Sequence, residues 1–90
     1  MKYRFYTDPG HGWLEVRFEE LFRLGIYKNI TPYSYSKGEK VYLEEDCDAS
    51  LFLKVKKERG ENVEINHIHT DNDSPIRGYN SYASGVAISY

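Results

Sequence analysis

Three side chains that can ligate a metal lie close together in the sequence: His67, His69 and Asp71. Residues two apart on a strand point to the same face, so both imidazoles would reach one divalent ion beside the carboxylate. A metal-bound water would then be the nucleophile of a metal-dependent hydrolase or nuclease. The third histidine, His11, would have to complete the site from a different loop. The interpretation that we favour is a pair of partly exposed histidines where a strand leaves the sheet.

This segment resembles locally the H-x-H-x-D pattern of the metallo-β-lactamase superfamily, through His67, His69 and Asp71. The fold of that superfamily is much longer than this chain, and its remaining ligand histidines have no counterparts here. The metal site is therefore the alternative hypothesis. Under the leading hypothesis given below, we expect no cofactor.

A second candidate site is the segment Asp8-Pro9-Gly10-His11-Gly12-Trp13. Histidine can act as a general acid or base near neutral pH, so His11 is a candidate for that role. Trp13 is of a residue type that often anchors binding surfaces. The alternative is a hairpin loop in which the two glycines adopt positive φ and Trp13 packs over a helix.

Tyrosine is unusually frequent, with nine residues in 90. Many of these tyrosines fall in or beside two irregular regions, residues 27–39 and 71–84. Such a side chain either fastens its loop to the core or presents an amphipathic ring to a partner. The sequence leaves both uses open, and it predicts a protein-binding surface made of Trp13, Tyr33, Tyr35, Tyr79 and His11.

Four carboxylates surround the single cysteine in Glu44-Glu45-Asp46-Cys47-Asp48, just before a predicted helix. Asp46 or Asp48 is expected to cap that helix through its side chain. Two carboxylates can bind a hard cation, but nothing here matches the twelve-residue calcium loop. We expect a capped acidic helix start and a core or semi-buried Cys47 thiol, with a pKa that the nearby carboxylates push upward.

Hydrophobic periodicity predicts the elements that position these residues. Several of the predicted helices and strands begin or end next to a glycine or a proline. The break in alternation between Ile65 and Ile68 suggests a bulge or a strand end. The order is β-β-α-β-α-β, an α+β fold with a small, mainly antiparallel sheet of four or five strands and two helices. The predicted strands are 2–7, 13–18, 40–44 and 62–70, with an edge strand at Val86–Tyr90, and the predicted helices are 18–24 and 47–59.

The chain has 90 residues and a net charge of −2, which indicates one domain, 1–90, with a loop-rich segment at 71–90. The near-neutral charge makes a nucleic-acid partner unlikely on sequence grounds. The basic residues between Lys54 and Arg59 fit the solvent face of a helix, and a nucleic-acid contact there is a third hypothesis. Without an apolar segment or a signal-peptide pattern, we expect no membrane contact and a cytoplasmic location.

Three strings together resemble small uncharacterised proteins of phages, prophages and other bacterial mobile elements. They are Asp8-Pro9-Gly10-His11-Gly12-Trp13-Leu14-Glu15-Val16, Tyr42-Leu43-Glu44-Glu45-Asp46-Cys47-Asp48 and Ser74-Pro75-Ile76-Arg77. The resemblance implies a small cytoplasmic accessory protein and assigns no catalytic residue. The leading hypothesis is a soluble, non-enzymatic protein that binds another protein through its tyrosine-rich loops. A homodimer through the predicted edge strand Val86–Tyr90 is a further expectation.

Overall fold

A computed structural model describes residues 1–83, which form one mixed sheet and two α-helices. The sheet order is β5-β1-β2-β4-β3-β6, and only the β1–β5 pair among these strands is parallel. The predicted edge strand Val86–Tyr90 lies outside the described residues. The elements are β1 (Lys2–Thr7), β2 (Gly12–Arg17), α1 (Phe18–Arg23), β3 (Tyr35–Lys37), β4 (Lys40–Glu44), α2 (Asp48–Glu58), β5 (Glu64–His69) and β6 (Asn80–Ser81).

The predicted α+β class and two helices are confirmed, but the predicted sheet differs from the observed one. The sheet has six strands among residues 1–83 rather than four or five, because β3 and β6 are too short to produce an alternating pattern. It is mixed because the chain crosses over through α2 and brings β5 beside β1 in the same direction. The predicted bulge is wrong: β5 pairs continuously with β1, and Ile68 simply points away from the face that carries Ile65.

The main core lies between one face of the sheet and the two helices. Alternate residues of the three central strands supply one side of this core, and helix residues such as Leu21 and Phe52 supply the other. Gly25 and Gly60 adopt φ of 74° and 70° immediately after the helices, as their positions in the sequence predict. Neither helix of residues 1–83 is long and apolar enough to cross a membrane.

Lys56 corrects the prediction that the basic residues of α2 all face solvent. Its side chain is fully buried, and Nζ lies 2.7 Å from Glu20 Oε2 and 2.8 Å from Glu61 Oε1. The Tyr3 hydroxyl donates to Glu20, and Arg23 contacts both carboxylates. A group of two cations and two carboxylates, in which Lys56 and Glu20 are buried, therefore ties α2 to α1 and to β1.

Neither α-helix of residues 1–83 packs on the opposite face of the sheet, which carries a second, smaller cluster. Trp13, Tyr42 and Ile76 are buried there, with three half-buried tyrosines packed against them. Ile76 comes from a 3-10 turn, Pro75–Gly78, that lies over this part of the face. Within residues 1–83, neither α-helix covers the rest of the same face, toward the first residues of β1.

Among residues 1–83, neither Gly10 nor Gly12 adopts the positive φ that the sequence predicts for this turn. Gly12 is needed instead because a larger side chain would not fit at its position. A Cβ on Gly12 would lie 2.8 Å from Phe5 Cζ. We therefore expect Gly12→Ala to destabilise the fold by about 1–3 kcal/mol through overpacking, measured by urea unfolding. Gly78→Ala is the matched control, because nothing lies within 4 Å of its Cβ position and its φ is not positive. Equal effects of the two substitutions would contradict this account.

Candidate functional site

Segments far apart in the sequence meet around a cleft of about 350 Å³ beside the loop that joins β1 and β2. We call it the Tyr33 cleft, after its most exposed aromatic side chain. Parts of all three strings behind the phage-protein resemblance contribute to its walls. The lining residues are Gly10, His11, Gly12, Trp13, Tyr33, Tyr35, Glu44, Glu45, Asp46 and Arg77.

One wall of the cleft is held by Asp8, whose side chain is buried. Its Oδ1 accepts hydrogen bonds from the amides of Gly10 and His11, at 3.0 and 2.9 Å. Its Oδ2 accepts from the amide of Ser74 at 3.0 Å, and Arg77 donates to both oxygens at 2.6 and 2.9 Å. The Arg77 guanidinium and these amides hold the pKa of Asp8 well below its usual range. One ionised carboxylate thus joins two loops.

Trp13 forms the inner side of the cleft rather than a projecting anchor. The residue is 3% exposed, and the Arg77 guanidinium carbon lies 5.5 Å from its ring centroid. The ring of Tyr35 meets Trp13 edge-on at 6.2 Å. Burial leaves Trp13 little surface for a partner, so its main role is to support the side chains around it.

Tyr33 is the aromatic side chain that the fold presents to solvent, with 78% exposure. The turn that carries it is anchored by the buried carboxylate of Asp48, whose Oδ2 accepts from Thr31 N (3.0 Å), Thr31 Oγ1 (2.7 Å) and Ser34 Oγ (2.5 Å). Ser34 Oγ in turn accepts from the Glu44 amide at 2.9 Å. The polar groups beneath the turn are satisfied, so Tyr33 projects from a well-anchored backbone.

The other predicted contact residues lie at the cleft or next to it. His11 is exposed, and its ring centroid is 5.9 Å from that of Trp13. Tyr79 lies outside the cleft: it packs on Tyr42 at 5.2 Å, with Lys37 Nζ 4.8 Å above its ring. The fold therefore brings His11, Trp13, Tyr33 and Tyr35 together and places Tyr79 on the adjacent surface.

The acidic rim of the cleft is organised by Glu44, not by the predicted caps Asp46 and Asp48. Glu44 accepts from the amides of Asp46, Cys47 and Asp48 at 3.1, 2.6 and 3.3 Å. Burial raises the pKa of Glu44, but these hydrogen bonds outweigh burial and hold the pKa below its ordinary value. Cys47 is exposed, which corrects the expected semi-buried thiol, and the charge of Glu44 raises its pKa as predicted.

The predicted metal ligands lie on the exposed edge strand β5 and just beyond it. The ring of His67 packs against Phe5 at 5.6 Å, and Nδ1 of His69 is 2.8 Å from Thr7 Oγ1. His69 Nε2 is 3.3 Å from Asp71 Oδ1. Within residues 1–83, no group of three or more His, Cys, Asp or Glu side chains is arranged to hold a metal ion. The metal hypothesis stays a prediction, and this geometry adds nothing to it.

Asp8 lay within a candidate segment and Asp48 was a predicted helix cap, but the sequence did not predict that these carboxylates and Arg77 build the cleft. A partial signal existed, because buried carboxylates need several donors and Asp8 precedes a proline–glycine turn. Their partners, however, lie up to 69 positions away along the chain.

The fold and the cleft define a small α+β protein with a six-stranded mixed sheet in its described part. Comparisons with family models, curated proteins and solved structures find no match to this chain.

Proposed function

We propose that this chain is a protein-binding module and that the Tyr33 cleft is its contact surface. The observation that carries the proposal is the 78% exposure of Tyr33 on a turn that is hydrogen-bonded to the buried carboxylate of Asp48. A tyrosine ring brings about 150–250 Å² of surface to a contact. Because the turn is already ordered, little backbone freedom is lost on binding.

The surroundings of Tyr33 suit a polar, partly aromatic interface. His11 and Tyr35 supply further aromatic surface, and Glu45 and Asp46 place exposed carboxylates at the rim. Interfaces combine such aromatic anchors with a polar rim that excludes water around them. The proposal includes the accessory role in a bacterium or phage that the sequence resemblance implies.

We expect Tyr33→Ala to weaken partner binding by about 30-fold or more, as expected for a central aromatic anchor, without loss of fold stability. The measurement is affinity capture from bacterial and phage-infected lysates with tagged wild-type protein. The captured partner is then purified, and its affinity for each variant is titrated.

Phe22→Ala is the matched control, because Phe22 is an exposed aromatic residue (58%) on α1, away from the cleft. A partner that binds wild type and Phe22→Ala but not Tyr33→Ala supports the proposal. Full binding of Tyr33→Ala, or failure to capture any partner that distinguishes the variants, would overturn it.

A further inference from the structure

A second concave surface lies on the face of the sheet opposite the α-helices of residues 1–83, separate from the Tyr33 cleft. It is an open groove of about 610 Å³ at the end of the sheet where β1 begins and β2 ends. We call it the basic groove. Its lining residues are Met1, Lys2, Tyr3, Arg4, Glu15, Val16, Arg17, Glu20, Lys40 and Asn66.

The charges in the basic groove leave an excess of cations. Glu20 faces Lys56 and Arg23 in the group that ties α2 to α1, so it does not neutralise the groove. Arg17 is held by Glu19 and Glu39, at 2.9 and 3.2 Å. The remaining groups are three cations and one carboxylate, a surplus of two positive charges; they are Lys2, Arg4, Lys40 and Glu15.

Glu15 is the one carboxylate in that count, and its neighbours already engage it. Its side chain is mostly buried and accepts from the Tyr42 hydroxyl at 2.9 Å and from Lys40 Nζ at 3.4 Å. Arg4 lies 3.9 Å from the same carboxylate and remains exposed. Lys2 is exposed; Glu64 is its register neighbour on β5, but no ion pair joins the two within residues 1–83. Arg4 and Lys2 are therefore available to an anion.

The strand register adds a local conflict that points the same way. Arg17 is paired with Lys40 across β2 and β4, and Lys40 is paired with Lys37 across β4 and β3. Directly opposed like charges on one face of a sheet destabilise it. Local conflicts of this kind are expected at functional or strained sites. Here Glu19 and Glu39 offset the repulsion at Arg17, and Glu15 offsets it at Lys40. Three cations thus lie side by side on β2, β4 and β3, and β2 is the neighbour of β1, which carries Lys2 and Arg4.

We propose that the basic groove binds the backbone of a single-stranded nucleic acid. The cations that line the basic groove lie on β1, β2 and β4, so they extend across two strand spacings, about 10 Å, which suits a polyanion better than one phosphate. Tyr6 lies two residues beyond Arg4 on the same face of β1 and is half-buried, so its ring can stack with a base. The overall charge of −2 does not oppose this, because the fold gathers the cations on one face.

The test is fluorescence anisotropy with a short fluorescein-labelled oligothymidylate at low and moderate salt. We expect binding that weakens steeply with salt, and a loss of about tenfold in affinity in the double variant Lys2→Ala, Arg4→Ala. Lys54→Ala, Lys57→Ala is the matched control: it removes the same charge from the exposed side of α2, and it tests the third sequence hypothesis. The control is expected to bind like wild type.

Each other outcome overturns the proposal. Absence of binding at low salt excludes a nucleic-acid site. An equal loss of affinity in both double variants would show that the binding is general charge attraction and not specific to the groove. Tighter binding of the matching duplex excludes the single-stranded preference. Inorganic phosphate is also added, at a concentration comparable with the total phosphate of the oligonucleotide. If it displaces the oligonucleotide, the groove is a site for a small anion. Circular dichroism of each variant checks that the fold is retained.

Discussion

Lys56→Met is expected to destabilise the protein by about 3–5 kcal/mol, the usual cost of breaking a buried ion pair. Methionine matches the length of the lysine stem and refills the volume, so the loss comes from the charge. Without Lys56, the charge on Glu20 keeps only Arg23 as a cation and the Tyr3 hydroxyl as a donor, in a largely buried position. Urea unfolding at neutral pH measures the change in the free energy of unfolding.

Two further variants separate the buried charge from helix effects. Lys57→Met changes an exposed neighbour on α2 and is expected to shift stability by less than about 0.5 kcal/mol. Lys56→Met combined with Glu20→Gln removes both charges, keeps an acceptor for the Tyr3 hydroxyl, and should recover much of the loss. A loss below about 1 kcal/mol in Lys56→Met alone would contradict the assigned role.

The same group makes stability fall in acid. Hydrogen bonds from Arg23 and Lys56 lower the pKa of Glu61 to about 2, from an ordinary value of 4.5. A carboxylate with a lowered folded-state pKa contributes stability that is present above its unfolded pKa and is lost as pH falls through the folded pKa. The stability of wild type should therefore decline from about pH 4.5 toward pH 2, and Lys56→Met should decline less steeply there.

The local elements could be predicted from the sequence because their signals are local. Strands Lys2–Thr7 and Lys40–Glu44 alternate regularly and begin and end as predicted, and the helices differ by a residue at their ends. The parallel placement of β5 depends on the route of the chain, which alternation does not encode. Lys56 is four residues after buried Phe52, a spacing that places it on the core side, but its charge suggested solvent.

The sequence identified several residues of the candidate site, but it did not predict how they are arranged in space. Glycine, histidine, tryptophan and tyrosine signals selected His11, Trp13, Tyr33 and Tyr35, which line one cleft. The sequence could not show whether a given tyrosine holds its loop to the core or offers its ring to a partner, and the fold contains both kinds. Tyr82 is buried and donates to the Tyr27 carbonyl, whereas Tyr33 is exposed. That choice depends on contacts between residues distant in the chain, such as the Tyr27 carbonyl for Tyr82 and Asp48 beneath the Tyr33 turn.

The basic groove likewise shows that a cluster of charged residues can be hard to predict from the sequence. Composition and charge runs directed attention to Lys54–Arg59, the densest basic stretch, and away from isolated cations. The register places Arg17, Lys40 and Lys37 side by side, although no run in the sequence joins all three. Net charge is a sum over the whole surface, so it is insensitive to a cluster that only strand pairing creates.

Asp8→Asn is expected to lower the midpoint of thermal unfolding by about 10–20 °C, the scale of losing a buried, charged hydrogen-bond centre in a small domain. Only one oxygen of the amide accepts, while its NH₂ group would face donors on Arg77 and on the backbone amides. The β1–β2 loop and the segment that carries Ser74 and Ile76 would then separate. Asp73→Asn, an exposed change of the same kind, is the control.

The single tryptophan gives this prediction a local readout. Trp13 is buried beneath Arg77 and packs with Ile76, so release of that segment exposes the indole and shifts its emission to longer wavelength below the global transition. Because the pKa of Asp8 is held below its usual range, its contribution is present above about pH 4 and is lost in more acidic solution. Wild type in acid should therefore approach the emission of Asp8→Asn at neutral pH. An unshifted emission in Asp8→Asn would show that the loops stay joined without the carboxylate.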